Sequence, residues 1–399
     1  MQRSRPLRCA FVNHYVDWGG AEAMLLTLFD ATDRTRLEPV LVVPREGRLT
    51  DGALALDVQV EFVPVSESVL EMTRGGASRF SGARTAAGLA TTIGHLVKAL
   101  RTLEIDVVVT NSAKAHVYGS IAAYLCRKPV VWRLHDTLDS PDFGASISRL
   151  MIRIAKRVPR RILSVSDSCS APLLRDGFPK DRIVTLYNGI DLTPFLAVPP
   201  RIHDEAQAFV VGSFSRLTPL KGHDVAIRAI AQLVEAGHDA RLVIAGGPSR
   251  EAPGYGDFLV SLAHDLGVGD RLTLHEGFAQ GGLPTIMTGV DVVVQASVLP
   301  DSLPTTIIEA MAGGRTVVAS AIGGCPELLD NGDTGLLFEP GNIKELADCL
   351  ASLRADPERT DRLGRAARES ALRRFPVDVF AESFCRHVEE VADESGIKR

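Results

Sequence analysis

No apolar run in this 399-residue chain reaches the roughly 20 residues needed to cross a bilayer. The stretch after Arg8 is broken by Asn13, His14 and Asp17, so a signal peptide is not expected. Cysteine is sparse: the six, at 9, 126, 169, 325, 349 and 385, are scattered and form no metal-type or redox-type pair. Reduced thiols and a cytoplasmic protein, free or peripheral at the inner face of the cell membrane, are the expectation. There is no low-complexity tract and no short repeat. Nor does a Gly-x-Gly-x-x-Gly follow the first apolar run, because Gly19-Gly20 has a different spacing; this counts against an NAD-dependent oxidoreductase, a rival of the same broad class.

What is present is a recurring α/β pattern in a chain with 45% hydrophobic residues. Valine-rich runs recur near residues 7, 39, 58, 106, 129 and 161, and again near 208, 241, 271, 291, 316 and 335, mostly separated by helix-like stretches. Such runs suit strands buried on both faces of a parallel sheet, so two doubly wound α/β domains are expected. A proline pair in Phe195 to Ala206 marks the seam, giving domains at 1–195 and 205–375. The stretch from Pro376 to Glu394 reads as a helix, with Val379, Phe380, Phe384, Val388 and Val391 near helical spacing. It either joins the first domain as part of 376–399 or packs on the second. Residues 1–200 hold 25 Lys and Arg against 20 Asp and Glu, and the remainder 19 against 29, so the overall charge of −5 hides a basic first half.

The most telling segment is DSLPTTIIEAMA, Asp301 to Ala312. A buried strand, DVVVQ, precedes it, and Pro304 has the backbone angle favoured at the start of a helix. Amides at that start, from Leu303, Thr305 and Thr306, lack intrahelical acceptors, and the aligned peptide dipoles favour a diphosphate there. Asp301 and Glu309, eight positions apart, can bracket a ligand and accept hydrogen bonds from sugar or ribose hydroxyls. On spacing alone, a loop-capping Asp301 and a solvated Glu309 explain the pattern equally well.

Three other segments carry related chemistry. VGSFSRLTPLKGH, Val211 to His223, places Arg216 and Lys221 after a strand, where two cations can neutralise a departing diphosphate. WGGAE, Trp18 to Glu22, is a glycine turn opening a helix, and Gly19 and Gly20 let backbone approach a ligand. PVVWRLHD, Pro129 to Asp136, is a strand ending in His135 and Asp136 at the carboxyl edge, where open α/β sheets bind ligands.

Together these segments resemble the retaining GT-B glycosyltransferases of family 4. In them two acids stand eight apart and the second precedes Ala-Met-Ala, as at Ala310, Met311 and Ala312. The Gly, Arg-Leu and Lys-Gly elements, the Gly-Gly-Ala-Glu turn and the NGID tetrapeptide at Asn188 to Asp191 match as well. One departure stands out: the first acid is usually Glu, and here it is Asp301.

The resemblance implies a GT-B fold, two Rossmann-like doubly wound domains facing each other across a cleft, the first binding acceptor and the second a nucleotide-diphosphate sugar. It implies catalytic roles for His135, Arg216, Lys221, Asp301 and Glu309. His135 would point at the transferred sugar with Asp136 or a backbone group orienting its ring; Glu309 would contact the donor ribose, Asp301 a sugar hydroxyl, and Arg216 with Lys221 the diphosphate. Gly19, Gly20, Gly246, Gly247, Phe278, Ser302, Leu303, Thr305 and Thr306 are the donor-side candidates. His14, Asn111, Ser112 and Arg133 are the acceptor-side ones. Gly323 and Gly324 permit close packing on the same crevice. No Asp-x-Asp is present, and the implied chemistry needs neither metal nor cofactor.

The donor is expected to be a UDP- or GDP-sugar, and the acceptor a glycan, a lipid-linked molecule or a small molecule; nucleic acid is not expected. A transferase-like protein that binds nucleotide or glycan without turnover is the main alternative. Arg149 to Arg161 interleaves basic with apolar residues, the pattern either of a helix lying on anionic lipid or of a core helix with a solvated face ending near Pro159. Glu67 to Gly88, rich in Gly, Ser, Ala and Arg, reads as a mobile loop.

Overall fold

The computed structural model describes residues 5–17, 19–70, 82–138, 145–200, 207–249, 251–277 and 282–397. They fall into two compact units, Met1–Ile190 with Val377–Arg399, and Asp191–Pro376. Each is built on one parallel sheet.

The first unit holds β1 (Leu7–Val12), β2 (Leu37–Val43), β3 (Gln59–Phe62), β4 (Val107–Thr110), β5 (Val130–Leu134), β6 (Arg161–Ser164) and β7 (Ile183–Thr185), in the spatial order β3-β2-β1-β4-β5-β6-β7. The order reverses between β1 and β4, which pair in parallel from Cys9↔Val107 to Val12↔Thr110. At such a switch point the connecting helices leave towards opposite faces, and the crevice beyond the carboxyl ends of the strands takes ligands. Those ends carry Asn13 and His14 after β1, Asn111 and Ser112 after β4, and His135 after β5. Strand β7 was not legible beforehand: it is three residues long and only half-buried, too short to show a periodicity.

The second unit repeats the plan with β8 (Phe209–Phe214), β9 (Ala240–Gly246), β10 (Leu272–Glu276), β11 (Val292–Gln295), β12 (Thr316–Ser320) and β13 (Leu336–Phe338), ordered β10-β9-β8-β11-β12-β13. Its switch point lies between β8 and β11. The segments leaving these strands carry Arg216 and Asp301, so the topology alone places both on one edge of the sheet.

The terminal helix, Val377–Glu394, belongs to the first unit. Its Phe380, Phe384, Val388 and Val391 are buried in the same core as Phe11, Leu25 and Phe29. The Phe384 ring stacks on Phe11 at 5.8 Å between centroids. Arg36 grips the exposed side of this helix, bonding Glu389 at 2.7 and 3.1 Å and pairing with Glu382.

One expectation needs correction. The ends of the supposed mobile loop are helical, Glu67–Leu70 and Gly82–Thr102, while 71–81 lies outside the described residues. Gly88 sits there because a Cβ would collide with the hydroxyls of Ser66 and Ser68: it marks close packing rather than freedom. The basic segment forms a helix over Ala145–Ala155 that ends before Pro159, as expected, and Arg161 lies beyond it. Arg161 starts β6 and pairs with Glu390 and Glu394 of the terminal helix. Among the described residues no helix is long and apolar enough to cross a membrane.

Candidate functional site

The second unit brings together most of what its sequence motifs promised. After β8 the chain makes a loop whose shape is fixed by His223, fully buried, with Nδ1 3.0 Å from Ser213 Oγ and Nε2 3.2 Å from the Arg216 carbonyl oxygen. Nε2 carries the proton donated to that carbonyl, and burial holds the ring neutral by pushing its pKa down to about 4. No motif had singled out His223, although its spacing from Ser213 and Ser215 was visible.

Gly222 (φ 67°) then packs against the strand-β11 exit, where a Cβ would strike the Ala296 carbonyl oxygen. Val298 N donates to Leu220 O at 3.0 Å in the same seam. This close approach puts Lys221 in an ion pair with Asp301. Gln295, 3% exposed, donates to Asp301 Oδ2 at 3.3 Å and to Ser297 Oγ at 2.9 Å, and accepts from Thr306 Oγ1 at 3.4 Å. It too escaped the motif reading, hidden as the last residue of a valine strand.

Asp301 leads into the helix Thr305–Ala312, whose start at Pro304 has no side-chain cap. Ser302, Thr305 and Thr306 are half-buried there and Leu303 is buried. Behind it, Gly324 N donates to the Asp301 carbonyl at 2.7 Å, and a Cβ on Gly323 would lie 2.5 Å from Asp301 N. Glu309 is partly exposed as a residue, yet its carboxyl has no hydrogen bond or ion pair among the described residues, and burial pushes its pKa up to about 7. Arg216 is exposed and likewise without a side-chain partner among the described residues. Gly246 and Gly247 end β9 against the same loop: Leu217 N donates to Gly247 O at 2.9 Å, and a Cβ on Gly246 would strike the Ser215 carbonyl. Gly247 faces open space. Phe278 and Trp18 lie outside the described residues.

The first unit assembles a second cluster. His14 Nδ1 lies 2.7 Å from Ser112 Oγ, joining the ends of β1 and β4. His135 Nε2 lies 3.0 Å from Asn111 Oδ1 and 3.1 Å from Arg133 Nε. Arg133 and Asn111 thus both contact the His135 ring at Nε2. Arg133 is 2% exposed and also donates to Asn188 Oδ1 at 2.6 Å. Beside them His116 stacks on Trp132 at 4.4 Å and contacts Thr110 Oγ1 at 2.7 Å; burial lowers its pKa to about 3. Gly19 precedes the helix Gly20–Ala31, where a Cβ would lie 2.5 Å from Glu22 Oε2, and Glu22 in turn accepts from Asn13 Nδ2 at 3.0 Å.

A family model described as Glycosyltransferase Family 4 matches residues 18–194, and one described as Glycosyl transferases group 1 matches residues 200–370. The chain belongs to the family 4 glycosyltransferases of GT-B fold. The D-inositol 3-phosphate glycosyltransferase of Nocardia farcinica is 32% identical over 203 residues, 48% of this chain and 44% of that protein. That of Mycobacterium tuberculosis is 31% identical over 206 residues, 50% of this chain and 42% of that one. The matched segment thus spans less than half the length of these curated relatives. Among solved structures, Anabaena HepE in complex with UDP is 25% identical with a TM-score of 0.81, covering 96% of this chain and 100% of HepE. Membership of this glycosyltransferase family leaves the oxidoreductase reading without support. Among the described residues of this family 4 chain, no group of three or more His, Cys, Asp or Glu is placed to hold a metal ion.

Proposed function

We propose that this chain is a retaining, metal-independent glycosyltransferase that moves a hexosyl or N-acetylhexosaminyl unit from a nucleotide-diphosphate sugar to a glycan, lipid-linked or small-molecule acceptor in cell-surface polysaccharide or glycolipid synthesis. The observation that carries it is the meeting of Lys221 with Asp301 at the uncapped start of the helix bearing Glu309. Lys221 neutralises Asp301; a bound diphosphate would give it a second anion, freeing Asp301 to accept from a sugar hydroxyl. Arg216, without a side-chain partner among the described residues, is available to the same diphosphate. Glu309 has an unmatched acceptor for ribose hydroxyls. Positive charge from Lys221, Arg216 and the helix start takes the role a divalent ion plays elsewhere, stabilising the leaving group as the glycosidic bond breaks. The diphosphate then takes the acceptor's proton on the face it has left, which retains configuration at the anomeric carbon.

A uridine nucleotide is the first donor to test, since HepE was solved with UDP and with UDP-glucose. Thermal shift across a panel of UDP- and GDP-sugars identifies the donor by the rise in melting temperature. Transfer assays on wild type, Glu309→Ala and Lys221→Ala then test the site, and unchanged rates in both variants would remove it. A binding protein without turnover is the second reading, favoured by the shorter Asp301. It predicts a thermal shift with no transfer or donor hydrolysis.

The first unit also offers a surface for an anionic membrane at the cytoplasmic face. Arg149 and Leu150 are exposed on helix Ala145–Ala155, and Tyr124 (69%) and Leu125 (54%) are exposed at the end of the neighbouring helix Ala113–Leu125, next to Arg127 and Lys128. Flotation with neutral and anionic liposomes tests this: binding only to the anionic vesicles is expected, and equal failure with both rejects it.

A further inference from the structure

We propose that Arg133 is a positioning residue that fixes His135 as the neutral imidazole with its proton on Nδ1, so that His135 serves a bound ligand only as a hydrogen-bond donor. The inference about the ring stands on geometry alone; its meaning for a sugar hydroxyl rests on the transferase reading above.

The argument starts with the guanidinium, which carries five N–H donors and no acceptor. Its Nε–H points at His135 Nε2 across 3.1 Å, so Nε2 must be the accepting nitrogen and the ring proton must sit on Nδ1. Asn111 agrees once its amide is considered. Its oxygen is drawn 3.0 Å from Nε2 while its Nδ2 is buried and unpaired. The Asn111 amide can turn about its Cβ–Cγ bond, and exchanging its oxygen and nitrogen replaces a clash of lone pairs with a second N–H directed at Nε2.

Arg133 cannot easily turn away. Its guanidinium lies 4.6 Å over the Phe380 ring and 6.0 Å from that of Phe384, both on the terminal helix, and Nη2 is bonded to Asn188. No carboxylate partners it, and Nη1 is buried without an acceptor among the described residues. A second proton on His135 would set N–H against N–H and add a positive charge beside an uncompensated one. The charged and titratable groups around the ring are Arg133, Asp136 next in the chain, His116 on helix Ala113–Leu125, and Cys169, whose Sγ lies 3.8 Å from the His135 carbonyl. Burial, then Arg133 and His116, all hold the imidazole pKa well below its ordinary value. Nδ1 itself has no protein partner among the described residues, and His135 is only half-buried. The free N–H is therefore the part of the ring left for a ligand, and the ring lacks the acceptor a general base needs.

The test is nitrogen NMR on the full chain with histidine labelled in the ring, assigned by the signal lost in His135→Gln. The expected result is a His135 ring protonated on Nδ1 that does not titrate from about pH 5 to about pH 8, where a free imidazole does. A proton on Nε2, or titration in that window, overturns the proposal, and this wild-type measurement needs no variant to fold. In Arg133→Met, checked for folding by its amide spectrum, the ring should begin to titrate or shift towards the Nε2–H form; an unchanged ring in a folded variant also overturns it. Transfer assays add a functional reading. The side-chain amide nitrogen of Asn sits where Nδ1 does and that of Gln where Nε2 does, so His135→Asn should retain about tenfold more activity than His135→Gln, the worth of one hydrogen bond. The reverse order overturns the donor role. If wild type transfers no sugar at all, the transferase reading fails while the ring measurement still decides the tautomer.

Discussion

Lys221 and Asp301, 80 residues apart in the chain, form an ion pair across the switch point of the second unit, each side chain less than a fifth exposed. Their contact follows from two glycine-tight seams on the β11 exit: Gly222 on Ala296 presses the β8 exit against it, and Gly323 on Asp301 presses the β12 exit against it.

The pair makes a separable prediction for Lys221→Met. A partly exposed ion pair contributes on the order of 1 kcal/mol, so urea unfolding should show a loss of about that size. Removing a cation aimed at a developing charge costs about 10²- to 10³-fold in turnover. Urea titration and donor turnover on the same variant check both; a large stability loss with a small rate loss would make the lysine structural.

Glu309 supplies a pH prediction with a definite sign. Its folded pKa of about 7 lies above the ordinary 4.5, because burial penalises the charged form. The folded state therefore binds the proton more tightly, and stability from this group is complete below about pH 4.5 and lost as pH rises through about 7. Glu309→Gln should flatten the stability profile in that window and unfold later than wild type at pH 8, by a few kcal/mol at most. Donor binding to the carboxylate should release a proton near pH 7, visible as a buffer-dependent binding enthalpy. Identical enthalpies in all buffers would contradict the assigned role.

The two sheets were readable because their strands are short valine runs buried on both faces, as at Val107–Thr110 and Val292–Gln295. The acids, cations and glycines of the second unit were readable because loops at a switch point carry chemistry in short contiguous motifs. Gln295, His223 and the Arg133–His135 contact were not. Gln295 and Arg133 sit within apolar strands, where a polar residue looks like an exception until the partner across the sheet edge is known. The segment ending at Gly88 read as mobile for the converse reason: glycine frees a backbone and also admits a neighbour, and only packing tells which.

The terminal helix offers a test of stability without chemistry. Phe384 is fully buried against Phe11 and lies 6.0 Å from the Arg133 guanidinium. Phe384→Ala should destabilise the first unit by about 3–5 kcal/mol. Arg36→Ala, which removes only the exposed grip on Glu382 and Glu389, should cost about 1 kcal/mol. Calorimetry distinguishes them; equal costs would mean the helix is held by charge rather than by packing.

Chelation bears on the charge argument. With Lys221, Arg216 and the helix start supplying positive charge, EDTA should leave transfer unchanged, and a complete loss restored by magnesium would contradict the proposal.

Gly323→Ala tests whether the crevice is built by backbone approach. The residue has φ 61°, a conformation that costs an L side chain roughly 1 kcal/mol or more. A methyl there would also meet the backbone nitrogen of Asp301 at 2.5 Å, which forces the β11 exit away from the β12 exit. Asp301 would retreat from Lys221 and the helix start from the diphosphate, so donor affinity should fall more than stability does. Gly289→Ala, away from the site, is the matched control: a Cβ there would lie 3.8 Å from the nearest atom, the Ile286 carbonyl oxygen, and neither quantity should change greatly. Isothermal titration with the donor, alongside urea unfolding of both variants, gives the comparison. If the two alanines behave alike, close packing at Gly323 does not shape the site.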